Sequence, residues 1–148
     1  MLTTDLHITY RGIVYPYQCD HMGHMNVMWY VGKFDEATWQ LVRLAGVTTA
    51  YMKDNNRGMV AAEQHIVYKR EVVAGNLIAV RSGILEVKEM SIRFFHEMVN
   101  EETNEIAAIT IMTGVHINTE LRKACPFEQQ VIKRAKELIT TYKPEIKA

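Results

Sequence analysis

The sequence predicts an α+β fold in which a curved, five-stranded antiparallel sheet wraps around one long helix and a C-terminal helix follows. Two observations indicate this arrangement. Apolar residues at 27–45 recur with the period of a helix, whereas several later segments alternate with the period of a strand. The turns at 74–76, 88–90 and 100–105 are too short for parallel crossovers, so those strands must pair antiparallel.

The first strand is predicted over residues 6–17, where β-branched and aromatic residues dominate. Pro16 stands near its end, where a missing backbone donor is tolerated. A polar loop leads to the helix at 27–45, for which Asn26 is a good N-cap and Gly46 a good terminating residue. The helix carries a wide apolar stripe, and the sheet is the element available to cover it.

The rest of the chain follows the same reasoning. Residues 51–58 are loop by composition, with Gly58 as the last turn residue. Two-residue periodicity predicts four strands, at 59–71, 77–87, 90–99 and 105–117. A second amphipathic helix is predicted at 127–141, with Pro126 at its first position.

Composition limits the classes of function. The 148 residues are expected to form one domain, 1–148, with an ordinary globular balance of 48% apolar and 23% charged residues. Seventeen basic and seventeen acidic side chains cancel, which argues against a nucleic-acid partner and a polybasic membrane anchor. We expect neither a membrane span nor a signal peptide. The two cysteines, Cys19 and Cys125, fit a reducing environment, so a cytoplasmic protein is expected.

The densest polar cluster is the loop at 20–26, immediately before the long helix. Free backbone N–H groups and the positive end of the helix dipole gather there and would stabilise a carbonyl oxygen that develops negative charge. Asp20 offers a carboxylate as nucleophile or general base, and His24 could orient or donate. The pattern indicates acyl transfer or hydrolysis. Alternatively, Asp20 and Asn26 make only loop and capping bonds, with Gly23 serving a turn.

The loop and helix also carry a recognisable motif. The run is Asp20-x-x-Gly23-His24-Met25-Asn26-x-x-x-Tyr30-x-x-x-Phe34-Asp35. It strongly resembles the signature of hotdog-fold acyl-CoA thioesterases of the 4-hydroxybenzoyl-CoA thioesterase-like group. The resemblance continues in Arg57–Val60, His65–Glu71 and Val115–Asn118, and so covers roughly residues 8–127. It implies a hotdog fold and hydrolysis of an acyl-CoA to free acid and coenzyme A, with no cofactor.

The resemblance assigns roles residue by residue. Asp20 matches the catalytic carboxylate, while the helix start around Gly23, Asn26 and Tyr30 matches the substrate-binding segment whose N–H groups polarise the thioester. His24 matches a histidine of plant acyl-carrier-protein thioesterases, although Met22 stands where their run has asparagine.

Two carboxylates farther along are further candidates. Glu71 matches a strand glutamate of the same plant thioesterases, and Glu63 is a second carboxylate predicted on that strand. Side chains two residues apart in a strand point to the same face of the sheet. A bulge between Glu63 and Glu71 would change which of the two faces the site.

The resemblance also implies assembly and a substrate subclass. The family forms a homodimer, sometimes assembled further into a tetramer, with active sites at the subunit interface. An exposed strand edge needs such cover. The longer run GHMNVMWYVGKFDEA resembles thioesterases of carnitine and betaine catabolism, which implies a small and cationic acyl group. Trp29, Tyr30 and Trp39 could bind a quaternary ammonium, but at helical spacing such residues more often form core.

Other functions and sites were weighed. A non-catalytic acyl-CoA binder, an acyl-carrier-protein thioesterase and a hotdog dehydratase or hydratase are the alternatives. The hydratase motif is absent from the sequence. Cys19 with His21 and His24 superficially suggests a thiol nucleophile, and the histidines with Asp20 a metal site. We expect instead a small apolar role for Cys19 and no metal.

Surface cations and strand histidines complete the candidates. Four basic residues could meet the phosphates of coenzyme A or be ordinary surface charge: Lys69, Arg70, Lys88 and Arg93. Three histidines predicted in strands are expected to have hydrogen-bonded structural roles: His65, His96 and His116.

Overall fold

A computed structural model describes residues 5–148 and confirms the predicted α+β architecture. In chain order the elements are β1 (His7–Ile13), a 3-10 turn (Pro16–Gln18), α1 (Val27–Leu44), α2 (Thr49–Asn55), β2 (Arg57–Tyr68), β3 (Leu77–Val87), β4 (Ser91–Asn100), β5 (Ile106–Asn118), β6 (Lys123–Ala124) and α3 (Gln129–Glu137). No helix in this part of the chain is long and apolar enough to cross a membrane.

One antiparallel sheet contains all the strands, in the order β1-β3-β4-β5-β2. The five long strands agree with the prediction, and the two-residue β6, which pairs with β5, was not predicted. This order leaves β1 and the 12-residue β2 at the two edges. The sheet is therefore open along β2. The loop before α1 lies next to the segment that follows this strand.

The core lies between α1 and one face of the sheet. Tyr30, Phe34 and Ala37 of α1 pack with Ile78 and Val80 of β3. Toward the other end of α1, a second apolar cluster includes residues of α3 and of the sheet: Leu41, Val42, Ile84, Phe94, Val131 and Ala135. Burying each large apolar side chain stabilises the fold by about 2 kcal/mol. The apolar residues that recur along 27–45 are the ones that α1 buries against the sheet.

Local capping signals set the ends of α1. The Asn26 Oδ1 accepts a hydrogen bond from the Met28 N–H at 3.0 Å, as predicted for an N-cap. Gly46 has a φ of +98°, a left-handed conformation that side-chain-bearing residues rarely adopt. Both predictions are confirmed, and α1 ends at Leu44, one residue before the predicted end.

The predicted loop at 51–58 is wrong in part, because Thr49–Asn55 forms the short helix α2. The Thr48 Oγ1 accepts from the Tyr51 N–H at 3.0 Å, which caps the helix, and Tyr51 packs against the second apolar cluster. Asn56, at a φ of +54°, ends α2, so Gly58 is not the last turn residue and lies instead in β2. Tertiary packing stabilises a helix too short to be stable alone.

Several predicted ends need correction. The first strand stops at Ile13, and Pro16 opens the 3-10 turn rather than ending the strand. The predicted strand at 59–71 spans Arg57–Tyr68, so Glu71 lies beyond it. The second helix is confined to Gln129–Glu137, so Pro126 is outside it and not at its first position. β4 and β5 each lie one residue C-terminal to the predicted range.

Two of the three strand histidines, His96 and His116, are buried and fully partnered, as expected, whereas His65 is exposed on β2. His96 lies between Ser82, whose Oγ is 2.5 Å from Nδ1, and Thr38, whose Oγ1 is 2.9 Å from Nε2. The Thr38 hydroxyl donates to a backbone carbonyl, so Nε2–H donates to Thr38 and Nδ1 accepts from Ser82. His116 Nε2 lies 3.0 Å from the Tyr51 hydroxyl. Both ring nitrogens of the neutral His96 imidazole therefore have a hydrogen-bond partner.

Candidate active site

The loop before α1 is a closed turn held by backbone bonds. Cys19 and Met25 form an isolated antiparallel bridge across its base. Inside it, the Asp20 N–H donates to the His24 carbonyl at 3.1 Å, and the Gly23 N–H donates to the Asp20 carbonyl at 3.0 Å. Gly23 has a φ of +87°, which glycine adopts at no steric cost. The glycine of the motif is thus explained by the geometry of the turn.

The Asp20 carboxylate is oriented at both oxygens. Oδ2 accepts from the Asn26 Nδ2 at 2.9 Å, and Oδ1 accepts from the Met22 N–H at 2.9 Å. These two hydrogen bonds, the Asn26 bond foremost, hold the pKa of the Asp20 carboxyl below its ordinary value, so it is ionised at neutral pH. A carboxylate has about four acceptor positions, so further acceptor capacity remains beyond these two bonds.

Asn26 has two roles in the site. Its Oδ1 caps α1 through the Met28 N–H, while its Nδ2 donates to Asp20. One side chain therefore links the carboxylate to the first turn of the helix, where backbone N–H groups and the helix dipole favour negative charge. The loop and capping bonds considered as an alternative to catalysis are present, and they are the same bonds that orient the carboxylate.

A depression of about 370 Å³ adjoins this loop. It is lined by His24, Met25, Val27, Tyr30, Tyr68, Lys69, Arg70 and Glu71. Tyr30 and Tyr68 meet edge to face with ring centroids 5.0 Å apart. Burial raises the pKa of Tyr30 to about 12, so its hydroxyl stays protonated. Three predicted site residues, His24, Tyr30 and Glu71, are thus brought together, with Asp20, Gly23 and Asn26 in the adjoining loop.

The two candidate glutamates are separated by the end of β2. Glu63 is exposed in the middle of the strand, next to a bulge, and pairs with Thr113 of β5. Glu71 belongs to the segment after the strand, which approaches α1 because the Met25 N–H donates to the Val72 carbonyl at 2.8 Å. Of the two, Glu71 lines the depression and Glu63 does not.

The three aromatic residues of α1 do not form one cage. Tyr30 is buried in the core, as the more common role predicts. Trp29 and Tyr17 meet edge to face, with centroids 5.4 Å apart, on another side of the helix. Trp39 is 40% exposed, ten positions after Trp29 along the helix.

The predicted phosphate-binding cations are divided. Lys69 and Arg70 line the depression, and Arg70 also pairs with Glu105 at 3.3 Å. Lys88 pairs with Glu86 at 3.9 Å, and neither Lys88 nor Arg93 lines the depression. Of these four cations, Lys69 and Arg70 are the two that could contact a ligand in the depression.

Cys19 packs against the first apolar cluster, which fits the small apolar role expected of it. Its Sγ lies 3.9 Å from the Tyr15 carbonyl. Over residues 5–148 no three metal-ligating side chains are grouped so that they could hold a metal ion.

Comparison with known proteins decides the family. The sequence profile of the thioesterase-like superfamily matches residues 14–135, most of the chain. This chain belongs to the thioesterase-like superfamily. The superfamily match covers the loop, α1 and the whole sheet from β2 to β5, so the prediction of a hotdog-fold thioesterase relative is confirmed at the level of family and fold.

Individual relatives of this thioesterase-like protein are distant. The betainyl-CoA thioesterase of Pseudomonas aeruginosa is 22% identical over 135 residues, which cover 91% of this chain and 85% of the relative. Among solved structures, a Staphylococcus aureus protein in complex with CoA has a TM-score of 0.85 at 17% identity, covering 98% of this chain and 94% of that one. A 1,4-dihydroxy-2-naphthoyl-CoA thioesterase from Synechocystis has a TM-score of 0.76 at 17% identity, covering 88% and 96%. These structures share the hotdog fold.

Two contacts of the site were not predicted. Asn26 was predicted as the cap, but the hydrogen bond from its Nδ2 to Asp20 was not. Capping uses the Oδ1 of Asn26, and the partner of its Nδ2 depends on how the loop folds. The placement of Tyr68 beside Tyr30 was also missed. The alternation of β2 was the available signal, but no local pattern shows where the end of a strand meets a helix.

Proposed function

We propose that this chain is an acyl-CoA thioesterase that hydrolyses its substrate to a free acid and coenzyme A, acting as one hotdog domain over residues 1–148 without a cofactor. The observation that carries the proposal is the ionised Asp20 carboxylate, held by Asn26 at the N-terminus of α1 beside an open depression. Membership of the thioesterase-like superfamily and the names of the relatives support it.

The proposed chemistry uses the loop and the helix start together. A thioester carbonyl placed at the first turn of α1 would develop negative charge where N–H groups and the dipole stabilise it. Asp20 would attack the carbonyl carbon and expel the coenzyme A thiolate, and water would then hydrolyse the resulting anhydride. The lowered pKa of Asp20 keeps the carboxylate ionised at neutral pH, the form that attacks the carbonyl directly or, in the general-base alternative, activates a water.

The residues that line the depression favour a small acyl group that carries a positive charge. Tyr68 is 43% exposed there and presents an aromatic ring, and Glu71 adds a carboxylate. Lys69 and Arg70 lie in the same depression and would meet the coenzyme A phosphates. We therefore propose a betainyl-type acyl group, which the name of the Pseudomonas aeruginosa relative also supports.

The acyl group is tested by measuring thiol release from a panel of acyl-CoAs. The panel spans short, branched, aromatic and long acyl groups, together with betainyl-CoA and its neutral isostere, 3,3-dimethylbutyryl-CoA. We expect betainyl-CoA to give the highest kcat/KM. Glu71→Gln is expected to lower the preference for betainyl-CoA over the isostere about tenfold, the effect of one charge-assisted contact. Glu63→Gln, which changes an exposed carboxylate outside the depression, is the matched control.

Three results would each contradict part of this assignment. Equal loss of preference in Glu71→Gln and Glu63→Gln would remove the acyl-group proposal. Tight binding of acyl-CoAs without any thiol release would remove hydrolysis itself in favour of a non-catalytic binder. Release from an acyl-carrier-protein thioester alone would instead identify the carrier protein as the donor.

The open edge of β2 supports a homodimer, the assembly that the family resemblance implies. This strand is 12 residues long, and its outer side pairs with no other strand among residues 5–148. Val60 is 44% exposed and Tyr68 43% exposed along it. A long edge of this kind is covered in stable proteins. We expect sedimentation velocity to give the mass of a dimer or tetramer, and a monomer at micromolar concentration would contradict this.

A further inference from the structure

A buried lysine without a counter-charge lies on another side of α1. Lys33 is only 3% exposed, and its Nζ donates to the Tyr10 hydroxyl at 2.9 Å while lying 5.2 Å from the centre of that ring. Among residues 5–148, no acidic group forms an ion pair with it. By contrast, buried Glu97 is paired with Arg81 at 2.7 Å. An ammonium carries three N–H donors and is costly to bury unpaired, so Lys33 is suited to an anion from outside the chain.

Two glycines shape the space around this lysine. A Cβ at Gly12 would clash with the Tyr10 hydroxyl, so glycine lets the Tyr10 ring lie along β1 and reach Lys33. A Cβ at Gly32 would meet no atom within 4 Å, although glycine inside a helix is less stable than alanine. Open space therefore adjoins α1 at Gly32, next to Lys33 in the chain.

The cavity around Lys33 has a volume of about 420 Å³ and lies between β1, the 3-10 turn and α1. Aromatic rings line it: Tyr15 and Tyr17 stack with centroids 5.8 Å apart, and Tyr17 and Trp29 meet edge to face. Tyr15 is 50% and Tyr17 69% exposed, so these rings form the mouth. Glu36 is exposed and lines the same cavity. Aromatic faces and a carboxylate at the mouth attract an ammonium group.

We propose that this cavity binds a small zwitterion. Its carboxylate contacts the Lys33 ammonium at the buried end, and its substituted ammonium lies against the aromatic mouth and the Glu36 carboxylate. A simple anion would be repelled by Glu36 and a simple cation by Lys33, so a ligand with both charges fits both groups. The cavity shares no lining residue with the depression beside the Asp20 loop, and the proposal does not depend on thioesterase activity.

The binding test uses the tryptophan that lines the cavity. The chain has two tryptophans, and Trp39→Phe leaves Trp29 as the sole reporter. Glycine betaine is titrated while Trp29 fluorescence is followed, with choline and 3,3-dimethylbutyrate as analogues that each lack one charge. We expect both analogues to bind about tenfold more weakly or worse. Equal binding of either analogue, or no response to glycine betaine, would overturn the proposal.

Variants of the cavity residues test whether the change in Trp29 fluorescence reports binding in this cavity. Lys33→Met is expected to raise the half-saturation concentration about tenfold or more, because it removes a charge-assisted hydrogen bond. Gly32→Leu fills the open wall without touching Lys33 and keeps the test valid if Lys33→Met folds poorly. Lys53→Met, at an exposed position of α2, is the matched control. Unchanged binding in both cavity variants would place any ligand elsewhere. No thioester is present, so failure of the proposed hydrolysis would leave this result unaffected.

Discussion

Asp20→Asn is expected to lower kcat for thiol release by about a thousandfold or more while leaving the protein folded. The amide cannot act as the nucleophile, and it is too weak a base to activate water. Its oxygen can still accept the bond from the Met22 N–H, so the turn keeps most of its support. Steady-state kinetics on the best acyl-CoA of the panel, together with thermal unfolding of both proteins, measures the effect.

The control for this variant is Asp35→Asn. Asp35 is also a carboxylate of the recognised motif, but it is exposed on α1 outside the loop and the depression. It is expected to retain full activity. A wild-type rate in Asp20→Asn would contradict the proposed function, whatever the result for Asp35.

A companion variant tests how Asn26 positions the carboxylate. Asn26→Ser keeps a good N-cap residue and removes the Nδ2 donor to Asp20. That bond is the largest cause of the lowered Asp20 pKa, so its loss raises the pKa. Because the ionised form is the active one, the acid limb of the pH–rate profile is expected to move to higher pH. A reduced rate with an unmoved acid limb would indicate only structural damage.

Stability is expected to fall steeply as the pH drops below about 6.5, the ordinary pKa of histidine. Burial lowers the pKa of His96 to about 3 in the folded protein. Above pH ~6.5 neither the folded nor the unfolded state binds a proton at His96, so it adds no pH dependence. Between these two values the unfolded chain takes up a proton that the folded protein excludes. The free energy of unfolding then falls by up to ~1.4 kcal/mol per pH unit.

Urea unfolding at a series of pH values from 7.5 to 4.5 would measure this slope. His96→Gln is expected to flatten it, at a cost in stability at neutral pH because the bonds to Ser82 and Thr38 are disturbed. His116, whose pKa is also lowered by burial, leaves part of the slope in place. His65→Gln, at an exposed position on β2, is the control. An identical slope in wild type and His96→Gln would contradict the assignment.

Features that depend on neighbouring residues could be predicted from the sequence. The periodicity of 27–45 reflects the buried stripe of α1, and Asn26 and Gly46 mark its ends through bonds and dihedral angles within a few residues. The short turns specified antiparallel pairing, and the motif placed Asp20 in the loop. Errors occurred where local propensity was overridden, as in α2, which its Thr48 cap and its packing stabilise.

The tertiary structure alone decided which distant side chains meet. Glu71 lines the depression because β2 ends at Tyr68 and the next segment hydrogen-bonds to the loop before α1, a contact between residues 47 positions apart. The local sequence around Lys33 does not indicate burial, yet Tyr10 and the 3-10 turn cover its side chain. Periodicity shows which face of an element is buried. It does not show which element covers that face, because that depends on how segments far apart in sequence pack.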